Sequence, residues 1–268
     1  MILTEDIRHP NPANDGVTHV NVYSHGRTEL GRLLSNFAHT PFTFDGALFA
    51  SVEGFWYYTV SGDAVCRGLS GTDAKTTGRR LPALHNPPNA ELLSAVYRAK
   101  LAAHPTIARA LAASTLPFFH YYVYDGVGVP DGVRDAVRVP EHALWTAQLW
   151  EALRAEAQRA AARVVNCRRE PYDVLVGRPS KWGNPYSHLD DTLARFRVSS
   201  RDEAIQRYEE WIKTQPELMA ALPELRGKVL GCFCAPRPCH GEVLLRLANP
   251  AAETSLDELA EALMKGED

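Results

Sequence analysis

Two runs dense in glycine and proline, residues 177–185 and 231–241, constrain the fold of this chain most. Glycine and proline interrupt regular structure, so neither run can be a helix or a strand throughout. Both runs also carry side chains that bind or react, namely arginine, lysine, tryptophan and asparagine in the first and arginine, cysteine and histidine in the second, which a plain spacer loop does not need. The segments 34–37 and 51–53 also carry side chains that can bind or react. The sequence therefore predicts two sites on two modules.

Length, charge and cysteine usage narrow the class of protein. With 268 residues the chain exceeds the usual single-domain size, which predicts two domains. A net charge of -3 argues against a protein that coats nucleic acid non-specifically. The early acidic residues, the lack of an apolar signal segment and an odd count of five cysteines predict a reduced, cytoplasmic protein that does not contact a membrane.

Local patterns predict the elements of a first domain at 1–155. Asp45-Gly46 between apolar flanks predicts a β-hairpin, and Ser51 predicts the N-cap of a helix with Glu53 in its first turn. The alternation over residues 17–23 predicts a half-buried strand. Pro140 is expected to open a long helix that connects this domain to the next.

A second domain is predicted at 163–250. Short strands are expected at its start and at 228–234, and the capping box from Ser200 to Glu203 predicts a helix between them. A further capping box predicts an acidic C-terminal helix over 251–268.

An ordered set of segments in residues 18–155 carries a family resemblance. The set comprises Leu34-Ser35-Asn36-Phe37, Pro41-Phe42, Asp45-Gly46, Ser51-Val52-Glu53, Ala74-Lys75-Thr76-Thr77-Gly78-Arg79 and Arg98-Ala99-Lys100. In these segments the chain resembles the NADAR or YbiA-like family. The resemblance implies a mostly helical α+β domain with a small β-sheet and N-glycosidase activity on ribosylated bases.

The resemblance also implies a nucleotide-like substrate. The substrate is either ADP-ribose attached to guanine, in a nucleoside or in nucleic acid, or a ribosylamino-pyrimidine intermediate of the riboflavin pathway. A module that binds ADP-ribose or a metabolite of NAD without turnover is a third alternative. We assign no cofactor.

Glu53 is the predicted catalytic acid or base. Breaking a bond between ribose C1 and a base amine requires a carboxyl group that shuttles a proton, and Glu53 lies beside Trp56 and Tyr57. A role in complementing the helix dipole stays open for the same carboxylate. Asp125, which precedes Gly126, is either a second catalytic carboxylate or a turn residue.

Lysine is a second candidate for the chemistry, because a neutral lysine can capture an opened sugar as a Schiff base. YbiA-type members carry a lysine seven positions after the glutamate, where this chain has Val60. Either the covalent step is absent or another lysine serves. We assign Lys75 to catalysis and Lys100 to substrate binding, with a phosphate contact or a solvated helix position as the alternatives for both.

Five residues complete the predicted substrate site. Arg79 presents a fork of donors that suits a phosphate group. Asn36 is expected to hydrogen-bond either ribose or its neighbouring backbone. Phe37, Trp56 and Tyr57 either stack on a base or belong to the core.

Residues 163–249 resemble an uncharacterised family of small domains from bacteria and phages, through the segments 166–169, 177–185 and 232–241. No activity follows from this resemblance. A strand, a Pro-rich loop and a helix from about residue 240 predict a small α/β, Rossmann-like domain whose amide groups attract anions. We predict a nucleotide or sugar-phosphate site there, formed by Arg178, Lys181, Trp182, Asn184, Cys239 and His240.

The cysteines of the second run allow three interpretations. Cys232 and Cys234 point to one face of a strand, and Cys239 and His240 follow closely. A metal site, a reactive thiolate at a helix N-terminus and inert packing all fit this pattern. The spacing lacks a C-x-x-C knuckle, and no metal ligand is assigned.

Overall fold

The computed structural model describes residues 8–124, 136–190 and 192–249. These residues form an α+β protein and fall into two compact units that divide after Arg154. Asp125 and the C-terminal helix predicted at 251–268 lie outside the described residues. Within the described part of the chain, no helix has the length and apolarity needed to cross a lipid bilayer.

Unit 1 is built from short strands and from helices of moderate length. Its strands are β1 (Val20–Asn21), β2 (Phe42–Phe44), β3 (Ala47–Phe49), β4 (Phe118–Phe119), β5 (Tyr122–Tyr124) and β6 (Ala136–Arg138). Its helices are α1 (Glu29–Leu34), α2 (Val52–Ser61), α3 (Gly71–Gly78), α4 (Ala90–Ala103) and α5 (Pro105–Ala113). Helix α6 (Ala143–Ala161) begins in unit 1 and continues past the division after Arg154. It starts three residues later than Pro140, where the sequence predicts its opening.

The predicted hairpin is confirmed. Strands β2 and β3 pair antiparallel around Asp45 and Gly46, whose φ angles are 47° and 73°. Two successive residues with positive φ match a turn whose twist suits a hairpin, and glycine adopts this conformation without strain.

The prediction of a half-buried strand near residue 20 is wrong. Val20 and Asn21 form only a two-residue strand that pairs parallel with β4. Residues on both faces are buried, since Asn21 is 1% exposed and Val22 is 4% exposed. The alternation misleads because Asn21 is satisfied inside the protein, where its side-chain amide exchanges hydrogen bonds of 3.1 Å with the backbone of Tyr121.

Unit 2 contains a parallel three-stranded sheet and three helices. Its strands are β7 (Arg163–Asn166), β8 (Val174–Leu175), β9 (Tyr186–Ser187), β10 (Phe196–Arg197) and β11 (Val229–Cys232). Its helices are α7 (Arg201–Lys213), α8 (Pro216–Ala221) and α9 (His240–Ala248). The sheet order is β7-β11-β8, so the strand that comes last in the chain lies in the middle.

A single apolar cluster forms the core of unit 2. Its buried members include Trp182, Tyr208 and Ile212 together with Leu230 of the central strand and Leu244 of α9. The predicted capping box begins α7, because the Glu203 amide donates to Ser200 Oγ at 3.1 Å. The reciprocal bond is displaced by one residue, since Glu203 Oε2 accepts from the backbone amide and hydroxyl of Ser199.

Candidate functional site

Several of the site residues predicted in unit 1 lie around the first turn of α2. Ser51 caps this helix by accepting a hydrogen bond of 2.9 Å from the Gly54 amide. The Glu53 amide donates to the Asn36 carbonyl at 3.0 Å. The Tyr97 hydroxyl, from α4, donates to Asn36 Oδ1 at 2.6 Å. Asn36 therefore links the loop after α1 to both helices.

The Glu53 carboxyl is electrostatically unusual. It is partly buried, and this burial raises its pKa to about 7, although the positive charges of Lys75 and Arg79 oppose the rise. A carboxyl group with a pKa near neutrality can both donate and accept a proton at physiological pH, which ordinary glutamates cannot.

Aromatic and cationic side chains surround this carboxyl. Lys75 Nζ lies 5.3 Å from the centre of the Phe37 ring, and Arg79 donates a hydrogen bond to the Tyr57 hydroxyl. The ring of Tyr57 lies directly against Gly78, where an added Cβ would come within 2.0 Å of Tyr57 Cγ. Only glycine allows α2 and α3 to approach this closely, so Gly78 helps to place both Tyr57 and Arg79.

Lys100 differs from the sequence-based prediction. Its side chain is fully buried, and Nζ donates to the backbone carbonyls of Leu34 at 3.3 Å and Ser35 at 3.0 Å. Burial lowers its pKa to about 7. The solvated alternative is therefore wrong for Lys100. It fixes the segment before Asn36, and its assignment to substrate binding stays a prediction.

Trp56 and Val60 lie on α2 and are partly buried. The Val60 carbonyl accepts hydrogen bonds from the amides of Leu84 and His85.

Unit 1 also has a cavity of about 820 Å³ whose lining includes His19, Glu151 and other residues. None of the residues predicted from the sequence lines that cavity. The convergence around Glu53 thus rests on side-chain contacts and electrostatics.

Three cysteines of unit 2 converge at the carboxyl end of the central strand. Cys232 ends β11, Cys234 follows it and Cys239 caps α9, and their sulfur atoms all lie within 4.8 Å of one another. All three are free thiols. Interaction among these closely spaced sulfur atoms lowers the pKa of Cys234 and raises those of Cys232 and Cys239.

Cys239 also has polar neighbours on α9. Its sulfur accepts a hydrogen bond of 3.3 Å from the Gly241 amide and lies 3.6 Å from His240 Nδ1. His240 Nε2 lies 2.9 Å from the Val176 carbonyl, so Nε2 carries the proton and Nδ1 is unprotonated. Burial lowers the pKa of His240, which favours this neutral form.

The cysteine cluster opens into a cavity of about 470 Å³. Its lining combines the three cysteines and His240 with the arginines Arg168, Arg178 and Arg201. A concave surface with several guanidinium groups favours an anionic ligand.

Comparison with known proteins identifies the second unit. Residues 160–250 match the model of a family described as a domain of unknown function (DUF4326). A similar protein is the uncharacterized 12.4 kDa protein in the nrdA-td intergenic region of Enterobacteria phage T4. It is 36% identical over 91 residues, which cover 32% of this chain and 77% of the phage protein. The chain belongs to the DUF4326 family. No solved structure matches it.

The structure corrects part of the ligand site predicted in the DUF4326 domain. Trp182 is 2% exposed and packs in the core, so it offers no stacking face. Lys181 is exposed, pairs with Glu224 at 2.8 Å and does not line the cavity. Asn184 is buried and holds the loop, because its amide donates to the Ala204 carbonyl and its oxygen accepts from the Tyr186 amide.

Three predicted residues of the DUF4326 domain do line the cavity, namely Arg178, Cys239 and His240. Arg178 also has a structural role, since one guanidinium nitrogen donates to the Asn184 carbonyl at 2.6 Å. Sequence reasoning missed Arg168 and Arg201 as part of this site. Arg168 lies in segment 166–169, one of the segments that resemble the family of small domains. Arg201 lies in the capping box from Ser200 to Glu203, and nothing in that pattern indicates ligand binding.

Proposed function

We propose that unit 1 is an N-glycosidase that removes ADP-ribose from guanine. This proposal rests on the Glu53 carboxyl, which has a pKa of about 7. The cations Lys75 and Arg79 act on this carboxyl, and Lys75 lies over the Phe37 ring. The NADAR resemblance supports the reaction class and the substrate.

In the proposed reaction, protonated Glu53 donates its proton to the departing guanine as the bond to ribose C1 breaks. Positive charge develops on the sugar in such a reaction, and the resulting carboxylate stabilises it. Water then attacks C1 and returns a proton to Glu53, so the carboxyl group is regenerated. Arg79, which is exposed, and Lys75 supply positive charge for the diphosphate.

A Schiff-base route is the alternative within the same activity. Lys75 and Lys100 are the two lysines that this route could use, since Lys75 acts on Glu53 electrostatically and burial lowers the pKa of Lys100 to about 7. Borohydride added during turnover traps a sugar adduct on one of these two lysines if the imine forms. An intact-mass spectrum without an adduct, while turnover proceeds, favours direct attack by water.

The decisive experiment incubates the protein with ADP-ribosylated guanosine and measures free ADP-ribose. Glu53→Gln is expected to lower the rate at least about a hundredfold, the usual scale for a positioned acid or base. Glu91→Gln is the matched control, because Glu91 also lies in the first turn of a helix but is exposed. Equal rates for Glu53→Gln and the unaltered protein would exclude the proposed role.

Two outcomes of the same assay support other functions. Turnover of a ribosylamino-pyrimidine, with none of ADP-ribosyl-guanosine, would indicate a riboflavin-pathway hydrolase. Tight binding of ADP-ribose without any turnover would indicate a sensor module.

For the DUF4326 domain we propose that the arginine-lined cavity binds a nucleotide or sugar phosphate. Arg201→Ala is expected to weaken binding at least about tenfold, since a hydrogen bond to a charged group contributes about 1.5–3 kcal/mol. Arg207→Ala on the same helix is the control, because Arg207 is exposed and does not line the cavity. Calorimetric titration with mononucleotides and ADP-ribose measures the effect, and equal affinities for the two variants would contradict the proposal.

A further inference from the structure

The thiol cluster of the DUF4326 domain combines three features that inert packing does not require. Its sulfur atoms come from a strand end, a turn and a helix cap, yet they converge within 4.8 Å. Cys234 is only partly buried, whereas a cysteine used for packing is normally enclosed. All three residues line one cavity, so a small ion or ligand can reach them.

The geometry points to a mononuclear metal site: we propose that Cys232, Cys234 and Cys239 bind one thiophilic divalent ion, Zn²⁺, with a fourth coordination position open to the cavity. A tetrahedral zinc site with Zn–S bonds near 2.3 Å places its sulfur atoms about 3.8 Å apart. Sulfur atoms that already lie within 4.8 Å need only small side-chain adjustments to reach this arrangement.

The surroundings suit anionic sulfur ligands. The Gly241 amide donates to Cys239 Sγ at the N-terminal end of α9, where the helix dipole favours negative charge. Arg201 lines the same cavity as the three cysteines and adds positive charge there. These groups offset the net negative charge that three thiolates and one divalent cation carry together.

The spacing of the three cysteines is only partly typical of zinc sites. Cys234 and Cys239 are separated by four residues, within the C-x₂₋₄-C range, whereas Cys232 and Cys234 are separated by one residue. In an extended segment, this separation directs both side chains to one face, while Phe233 between them is 47% exposed. The Pro-rich turn then brings Cys239 back to the same place.

Three protein ligands and one open position characterise catalytic zinc sites, whereas structural sites have four protein ligands. The open position proposed here faces the cavity that also contains Arg168, Arg178 and Arg201. A bound anion could therefore coordinate the ion through one oxygen while the arginines contact its other oxygens. This inference does not depend on the activity proposed for unit 1.

The test measures metal content in the full chain, purified with a tag that contains no histidine. Elemental analysis by mass spectrometry is expected to find one equivalent of zinc per chain. Cys234→Ser and Cys239→Ser are expected to lower zinc affinity by more than the roughly 10–100-fold loss caused by changing outer-shell partners. Cys167→Ser is the matched control, because Cys167 lies in the same domain but outside the cluster.

Cobalt substitution keeps the proposal testable if a serine variant does not fold. The unaltered chain loaded with Co²⁺ is expected to show an intense thiolate-to-metal charge-transfer band and the visible bands of a tetrahedral ion. Added inorganic phosphate should shift the visible bands if the fourth position is open. A folded chain without zinc and without the charge-transfer band would overturn the proposal. So would iron and sulfide in equal amounts, because they indicate a cluster of several ions.

Discussion

Glu53 combines the proposed function with a cost in stability. Its pKa rises from 4.5 to about 7 in the folded protein, so between these pH values the folded state binds more protons than the unfolded state. The free energy of unfolding therefore falls as the pH rises from 4.5 to 7. The carboxyl group that is suited to proton transfer is also one that the fold stabilises poorly when it is charged.

Glu53→Gln should consequently raise stability while it abolishes turnover. At pH 8 we expect the free energy of unfolding of unit 1 to increase by roughly 1–2 kcal/mol, a value that allows for solvent screening of a partly exposed group. At pH 4 the variant and the unaltered protein should unfold alike. Denaturant titrations at both pH values measure the difference, and a variant that is less stable at pH 8 would contradict the assignment.

Lys100 makes the opposite pH-dependent contribution. Its pKa falls from 10.5 to about 7 on folding, so between these values the unfolded state binds more protons. Stability should therefore increase as the pH rises from 7 towards 10. Lys100→Met should remove this increase, whereas Lys213→Met, at an exposed position, should retain it. Denaturant titrations across this pH range decide the matter, and an unchanged slope in Lys100→Met would show that the lysine is not neutralised by burial.

At the scale of elements, the close approach of α2 and α3 is the feature most sensitive to change. Gly78→Ala would place a Cβ within 2.0 Å of the Tyr57 ring, so the helices or the ring must shift. We expect a loss of about 1–3 kcal/mol in the free energy of unfolding, the range typical of overpacking, and slower base release. In Gly68→Ala the added Cβ meets nothing within 4 Å, which makes it a suitable control. Equal stabilities in thermal or denaturant unfolding would show that this contact is unimportant.

The elements that the sequence predicts well depend on neighbours within a few residues. The hairpin at Asp45 and Gly46 needs only its own two turn residues, and the caps at Ser51 and Ser200 need only an amide three residues further on. These interactions are local, so residue types and spacing are sufficient to predict them.

The features that sequence reasoning missed depend on distant partners. Tyr97 joins the site through a hydrogen bond to Asn36 across 61 positions, and no local motif marks it. Trp182 lies in a Gly/Pro run that looks like a binding loop, yet contacts with residues far along the chain bury it. The convergence of the three sulfur atoms was missed for a different reason, because it depends on the conformation of the turn between Cys234 and Cys239, which the spacing alone does not give.

At the scale of the whole molecule, the two sites belong to separate compact units with separate chemistry. Removing the proposed metal from the full chain with a strong chelator should loosen the DUF4326 domain, because metal binding contributes directly to folding free energy. Hydrogen exchange is expected to increase in peptides from β11 and the start of α9. Release of ADP-ribose by unit 1 should continue at its original rate. Equal loss of turnover and of protection would show that the two units are coupled.

The strand order β7-β11-β8 has a consequence for how the DUF4326 domain is made on the ribosome. Its middle strand leaves the ribosome last, and the 55 residues from Leu175 to Val229 take roughly 3–11 s to synthesise at 5–20 residues per second. Until then, β7 and β8 have exposed edges that can pair with other chains. All three clustered cysteines also emerge only with or after that strand. Premature association during synthesis is thus the main hazard that this topology creates, and it ends when β11 enters the sheet.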